Sequence, residues 1–333
     1  MRYSPQLDGI RAVAATLVLF GHMGVPGFSG GFLGVDVFFV LSGYLITQIL
    51  VDEHAGSGRI AYRDFVVRRF YRLYPALLGL VGVYLLIAPV VFARWDIVKH
   101  LQDAALALVY MTDYAKPMGA PMAVLNQTWS LGVEEKFYLL WPLALPLILK
   151  LPRATAIKLL ACAFVLATEW RAVAMMFVDN HWSIYNRFDT HCTGLILGSL
   201  MGLAKPRLPA YVGHIGVAGL AGCVYLSTWR DPSVILLGFT AAELFSAMVI
   251  CAPPAVLGKG ILPWLGKMSY GFYLWHYLIF RAAGENGIEF WPRFGLVAFG
   301  GLACAALSYY TIEAPLRAKN RSRHAMRKAL PGA

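Results

Sequence analysis

Ten stretches of about 20 mostly apolar residues constrain this chain more than any other feature. They fall near 8–27, 31–50, 73–93, 129–149, 157–177, 186–204, 211–229, 233–252, 263–283 and 293–313. A stretch of that length crosses the hydrocarbon core of a bilayer as a helix. In lipid, helices and closed barrels alone satisfy every backbone N–H and C=O. The expected fold is therefore all-α, a polytopic transmembrane bundle of about ten spans. A shorter apolar piece, Ala104–Met111, reads as a re-entrant or interfacial helix.

Charged residues make up only 14% of the chain and hydrophobic residues 59%. Soluble domains carry about 25% charged residues, so water is not the main solvent here. The net charge of +11 raises the question of nucleic acid. Its distribution excludes that class, because Lys and Arg gather in short loops between apolar runs. With a cytoplasmic N-terminus and ten spans, inner segments hold 19 of them and outer segments seven. Counting Ala104–Met111 as a full span would move Lys150, Arg153 and Lys158 outside. Both termini are thus expected in the cytoplasm, with residues 1–316 a membrane domain and 317–333 a basic tail against anionic lipid. Arg2 and the apolar stretch Ile10–Phe20 imitate a signal peptide, but no clean cleavage site closes them, and a retained first helix is expected.

Five cysteines stand singly inside apolar runs, without a C-x-x-C pair, and read as small buried hydrophobes. No metal site is expected. Gly194, Gly198 and Gly202, and Gly213, Gly216, Gly219 and Gly222, form stripes of small residues suited to close helix packing in lipid.

Ionisable residues inside spans carry the functional argument, since lipid makes them costly without a partner or a cavity. Arg11 and His22 are eleven residues apart, almost three helical turns, so they share one face about 16 Å apart along the axis. Arg11 is expected near the cytoplasmic end and His22 in the outer half. The fourth span must include Glu134, because Phe137–Leu149 alone is too short to cross. Asp36 has a similar depth, Arg187 and Asp189 lie at the outer mouth of the sixth span, and Tyr273 and His276 lie on one face of the ninth. A histidine beside carboxylates can serve as a general base. Transporters and channels carry similar buried networks, so the charges alone divide evenly between enzyme and transporter.

Five arginines without a lysine, Arg59, Arg63, Arg68, Arg69 and Arg72, precede the third span. Arg59 and Arg63 read as a positive-inside anchor. Arg69 and Arg72 are one turn apart and can grip a phosphate together. Residues 27–31 match G-x-S-x-G, but they sit in a loop between spans rather than between a strand and a helix, and are rejected as a nucleophile elbow.

The strings LDGIRAVAATLVLFGHM (7–23), GFLGVDVFFVLSGYLIT (31–47), RRFYRLYP (68–75), NQTWSLGVEEKFYLLWP (126–142), YNRFDTHCTGLILG (185–198), LGKMSYGFYLWH (265–276) and EAPLR (313–317) resemble the acyltransferase-3 family of bacterial membrane O-acyltransferases. They occur in the family's order and cover nearly the whole chain. The resemblance implies about ten helices in the bacterial inner membrane. It also implies transfer of an acyl group, often acetyl, from cytoplasmic acyl-CoA to a hydroxyl of an extracytoplasmic or lipid-linked glycan. The family's Arg-x10-His pair falls on Arg11 and His22, its Arg-x-x-Arg on Arg69 and Arg72, and its Trp-Ser-Leu…Glu element on Trp129, Ser130 and Glu134. Some members carry an extracytoplasmic esterase-like domain, whereas this chain ends soon after its last span. Transfer is therefore expected to finish within the membrane domain or on another protein.

Together these readings give an expected division of labour. His22, oriented by Glu134 or Asp36, takes a proton from the acceptor hydroxyl, or forms an acyl-histidine. Arg11, Arg69 and Arg72 serve the acyl-CoA co-substrate. Trp129, Ser130, Arg187, Asp189, Tyr273 and His276 form an acceptor or structural polar cluster. No bound cofactor is expected. A transporter or flippase for a glycan or lipid is the alternative, and a membrane scaffold the third reading.

Overall fold

The computed structural model describes residues 3–320, except 116, 121, 179 and 181, and only the backbone of Trp182. Most of the basic tail expected over 317–333, from Arg321 onward, lies outside the described residues. Within them every regular element is helical. In chain order the helices are α1 (Pro5–Met23), α2 (Gly34–Ser57), α3 (Tyr62–Val91), α4 (Ile97–Leu108), α5 (Thr112–Ala115), α6 (Trp129–Ile148), α7 (Arg153–Met175) and α8 (Trp182–Tyr185). They continue with α9 (Phe188–His191), α10 (Thr193–Ala204), α11 (Ala210–Leu226), α12 (Val234–Cys251), α13 (Leu262–Lys267), α14 (Ser269–Glu285) and α15 (Phe290–Asn320).

Local chemistry explains several boundaries. Pro5 occupies the first turn of α1, where its missing N–H is harmless. Gly24 ends that helix at φ 66°, returning its N–H to the carbonyls of Gly21 and Phe20. Asp96 caps α4 by accepting from the Lys99 N–H at 2.9 Å. The first turns of α12 (Val234–Gly238) are π-helical, as are two stretches of α15, Leu296–Gly300 and Tyr309–Glu313.

Four described helices are long and apolar enough to cross a membrane: Gly31–Ser57, Tyr62–Val91, Val234–Cys251 and Phe290–Asn320. Helices α1, α6 and α7, of 19, 20 and 23 residues, have the length but carry charges within it. The apolar stretch expected at 186–204 is divided at Cys192 between α9 and α10, and that at 263–283 at Met268 between α13 and α14. Helix α4 has only 12 residues, about 18 Å, and cannot cross alone.

The chain divides into two compact units. The first comprises Met1–Ile60, Tyr110–Met122 and Asn126–Lys267. Its centre is α2, packed against α1, α6, α10 and α12. Close approach of α2 and α10 rests on glycine from both sides. A Cβ on Gly198 would stand 2.0 Å from the Val40 carbonyl oxygen, and one on Gly43 2.1 Å from that of Leu195. In the second glycine stripe Gly213 lies against the Ala252 carbonyl and Gly216 against the Phe245 carbonyl in the same way, whereas Gly219 faces the Phe245 ring and Gly222 open space. These backbone contacts cannot give way locally. Gly198→Val should therefore abolish recovery of monodisperse protein from membranes, while Gly222→Ala should leave yield unchanged; normal yield of the valine variant would refute the close-packing account.

The second unit comprises Ala61–Val109, Ala123–Leu125 and the chain from Met268 onward. Here α14 packs against α3 and α15, and α4 against α3. Helix α4 turns its polar residues inward. His100 meets the Tyr84 hydroxyl at 2.7 Å, and buried Asp103 accepts three consecutive backbone N–H groups, from Ala123, Val124 and Leu125, at 3.0, 2.5 and 3.0 Å. Its apolar residues Ile97, Val98 and Leu101 are exposed, the orientation expected of a helix bathed in lipid. Among the cysteines, all free, Cys162 on α7 is exposed rather than buried; in a lipid-facing helix a thiol behaves as a small hydrophobe on either side.

Candidate functional site

Helix α1 is unbroken from Pro5 to Met23, so Arg11 and His22 do share one face. Both are half-buried. The Arg11 guanidinium is paired with Asp8, one turn earlier on the same helix. Asp8 was not singled out in the sequence, although an i, i+3 acid–base pair is a recognisable spacing.

Helix α6 is fastened to α2 by a ladder of polar side chains. Ser42 Oγ donates to Glu134 Oε1 at 2.5 Å, Tyr138 OH donates to Ser42 Oγ at 3.2 Å, and Trp141 Nε1 donates to Thr47 Oγ1 at 2.8 Å. Glu134, Tyr138 and Trp141 follow the i, i+4, i+7 spacing of one helix face. Glu134 is half-buried, and the hydroxyl holds its carboxylate in a fixed orientation. Two residues on, Lys136 Nζ leaves this face for Asp113 Oδ1 and the Tyr110 carbonyl, each at 2.8 Å. Burial raises the Asp113 carboxyl above the usual carboxylate range, and Lys136 pulls it back in part.

Asp36 lies deep in the first unit, where it meets His191. Asp36 Oδ1 is 2.9 Å from His191 Nε2, with both side chains fully inaccessible. His191 Nδ1 is 2.5 Å from the Tyr185 carbonyl. A carbonyl only accepts, so Nδ1 donates. A proton then lies between Nε2 and Oδ1 as well, either on the ring or on the carboxyl. Aromatic rings box the imidazole in. Phe239 stacks on it at 4.6 Å and 5°, Trp129 at 5.2 Å and 22°, and Phe39 meets it edge-on at 5.4 Å.

A second buried group adjoins this pair. Arg171 of α7, 1% exposed, donates to Thr193 Oγ1 at 3.2 Å and Thr240 Oγ1 at 2.6 Å, and its Nη1 is 3.8 Å from Glu243 Oε1. Thr193 also donates to Glu243. Glu243 feels the charges of Arg171, Asp36 and His191. Four helical elements of the first unit therefore converge on one network, namely α2, α7, α12 and the α9–α10 junction.

The remaining candidates are distributed as follows. Ser130, buried, donates to the Gln127 carbonyl at 3.3 Å. Arg187 and Asp189 form a two-bond pair, which Tyr114 OH joins at 3.2 Å and Trp170 Nε1 at 2.9 Å. All these belong to the first unit. Arg69, Arg72, Tyr273 and His276 belong to the second. Arg69 lies over the Phe65 ring at 5.5 Å, and Arg72 acts electrostatically on Glu313 of α15, which also meets Arg317 at 3.5 Å and borders Gly271. His276 Nδ1 donates to the Phe272 carbonyl at 2.9 Å, which fixes its tautomer. Tyr273 is buried beside it at a ring distance of 5.8 Å.

His191, Arg171 and Glu243 are the residues that sequence reasoning passed over. Arg171 and Glu243 were visible as charges in apolar helices. His191 stood in the string YNRFDTHCTGLILG without any local sign of its partner. Among the described residues no cluster of His, Cys, Asp and Glu suits a metal.

A family model described as an acyltransferase domain matches residues 4–312. YrhL of Bacillus subtilis (strain 168) is 32% identical over 95% of this chain and 55% of its own length. The peptidoglycan O-acetyltransferase OatA of Listeria monocytogenes is 30% identical over 95% of this chain and 56% of its own. The O-acetyltransferase OatA of Staphylococcus aureus (strain NCTC 8325) is 30% identical over 96% and 58%. The chain thus spans somewhat more than half the length of these curated relatives. No solved structure gave a significant match.

Proposed function

This chain belongs to the acyltransferase-3 family, and from that premise we propose that it transfers an acetyl group from acyl-CoA to a glycan hydroxyl within the membrane. The match across residues 4–312, which contains every candidate site residue, carries this reading. The names of YrhL and of the Listeria OatA specify peptidoglycan O-acetylation, and that of the Staphylococcus OatA specifies O-acetylation. Muropeptides are accordingly the first acceptors to try.

In the proposed reaction His22 acts as general base. It removes the acceptor's hydroxyl proton as that oxygen attacks the thioester carbon, and CoA leaves as its thiol. Glu134, whose carboxylate is already oriented by Ser42, is the proposed partner that steadies the imidazolium. Arg11, with Asp8 beside it, flanks the donor. Arg69 and Arg72 are proposed to hold the CoA phosphates, which planar guanidinium groups one turn apart suit well. Trp129, Ser130, Arg187 and Asp189 of the first unit are proposed to shape the acceptor side, while Tyr273 and His276 form a polar pair within the second. We further propose that the protein sits in the bacterial inner membrane, with the arginine pair and both termini facing the cytoplasm.

The test is incubation of purified protein in lipid nanodiscs with acetyl-CoA labelled in the acetyl group. Label should pass to muropeptides, with CoA released only when acceptor is present. Transport of an unmodified glycan without label transfer would overturn the assignment. Arg69→Ala removes a charge-assisted phosphate contact worth about 1.5–3 kcal/mol. It should raise the apparent KM for acetyl-CoA tenfold or more while kcat stays within about threefold; an unchanged KM would refute phosphate docking there.

A further inference from the structure

We infer that Asp36 and His191 are a positioning pair, sharing one proton, that fixes the Trp129 ring and with it the first turns of α6 that carry Glu134. The inference rests on the proposed role of Glu134.

Three observations support it. First, both ring nitrogens of His191 are spent, on Asp36 Oδ1 and the Tyr185 carbonyl, so its imidazole cannot rotate and offers no lone pair to a substrate. Second, the fixed ring lies against the Trp129 indole at 5.2 Å and 22°, and Trp129, 4% exposed, is the first residue of α6. Third, α2 grips α6 a second time through Ser42 on Glu134. Helix α2 thereby sets the register of α6 directly, at Glu134 and Trp141, and through His191 at Trp129. Displacing reacting groups by about 1 Å can cost a hundredfold in rate.

The pair acts through another residue, so a readout beside activity is needed. Full-length protein labelled with 5-fluorotryptophan shows its nine tryptophans by fluorine NMR, and Trp129→Phe identifies the Trp129 signal. Asp36→Ala and His191→Ala should each move or split that signal and leave the Trp264 signal in place. The same variants should lower kcat about tenfold or more, with the acetyl-CoA KM within about twofold. Asp36→Asn should restore the wild-type Trp129 signal, because an amide N–H can donate to a neutral Nε2 and keep the ring in place.

An unmoved Trp129 signal in both alanine variants overturns the inference. So does failure of Asp36→Asn to restore it while the Trp264 signal shows a folded protein. If the alanine variants do not fold, His191→Gln takes their place, since a side chain too short to reach both partners must still release the indole. Absence of acetyl transfer by wild-type protein would refute the proposed reaction and leave the fluorine result to judge the positioning pair separately.

Discussion

Replacing His22 by alanine should lower acetyl transfer a hundredfold or more, in line with the 10²–10⁴-fold that a positioned acid–base group usually supplies. His22 lies in the last turn of α1, half-buried, so its loss removes little packing and the protein should insert and elute normally. Single-turnover transfer from labelled acetyl-CoA measures the effect directly. Retention of full activity would sink the assignment of His22 as base. The same experiment separates the two chemical routes. If acetyl passes through the imidazole, acid quenching in the absence of acceptor should leave mass on the peptide containing His22. If His22 only moves a proton, none should be found.

The largest effect on stability is expected from Arg171→Met. This change leaves Glu243 fully buried without its cation, and removing one partner of a buried pair typically costs about 3–5 kcal/mol. It also strips donors from Thr193 and Thr240. The paired change Arg171→Met with Glu243→Met should be more stable than Arg171→Met alone, because no uncompensated charge remains. Thermal unfolding in detergent provides the comparison. A double variant no better than the single would mean that packing, not charge, governs the network.

Much of the fold is legible in the sequence because lipid imposes a simple rule. Long apolar runs must be helices, and α2, α3, α12 and α15 are helices of crossing length and apolarity. Interruptions are harder to see. Neither Cys192 nor Met268 belongs to the usual helix breakers, yet the chain leaves regular helix at both. Helix α4 begins well before its apolar half because Lys99, His100 and Asp103 interrupt the run, and two of these three point inward. The candidate site divides in the same way. The Arg11–His22 interval follows from helical geometry alone. The bond between Asp36 and His191 joins residues 155 positions apart, and periodicity within one helix carries no information about its neighbour. That is why carboxylates could be recognised as important before their partners were known. Asp36 was expected to orient His22, and the structure pairs it with a different histidine, His191.

The π-helical turn at Leu296–Gly300 sets an address on α15. Such a turn holds one residue more than the α-helical turn it replaces, and each residue of an α-helix advances the face by about 100°. Deleting one residue there would let the stretch relax to α geometry and rotate everything beyond it by about that angle. Glu313 would keep Ser308 and Arg317, which ride on the same helix, but it would swing away from Gly271 and out of reach of Arg72. The surplus residue is thus a setting of phase.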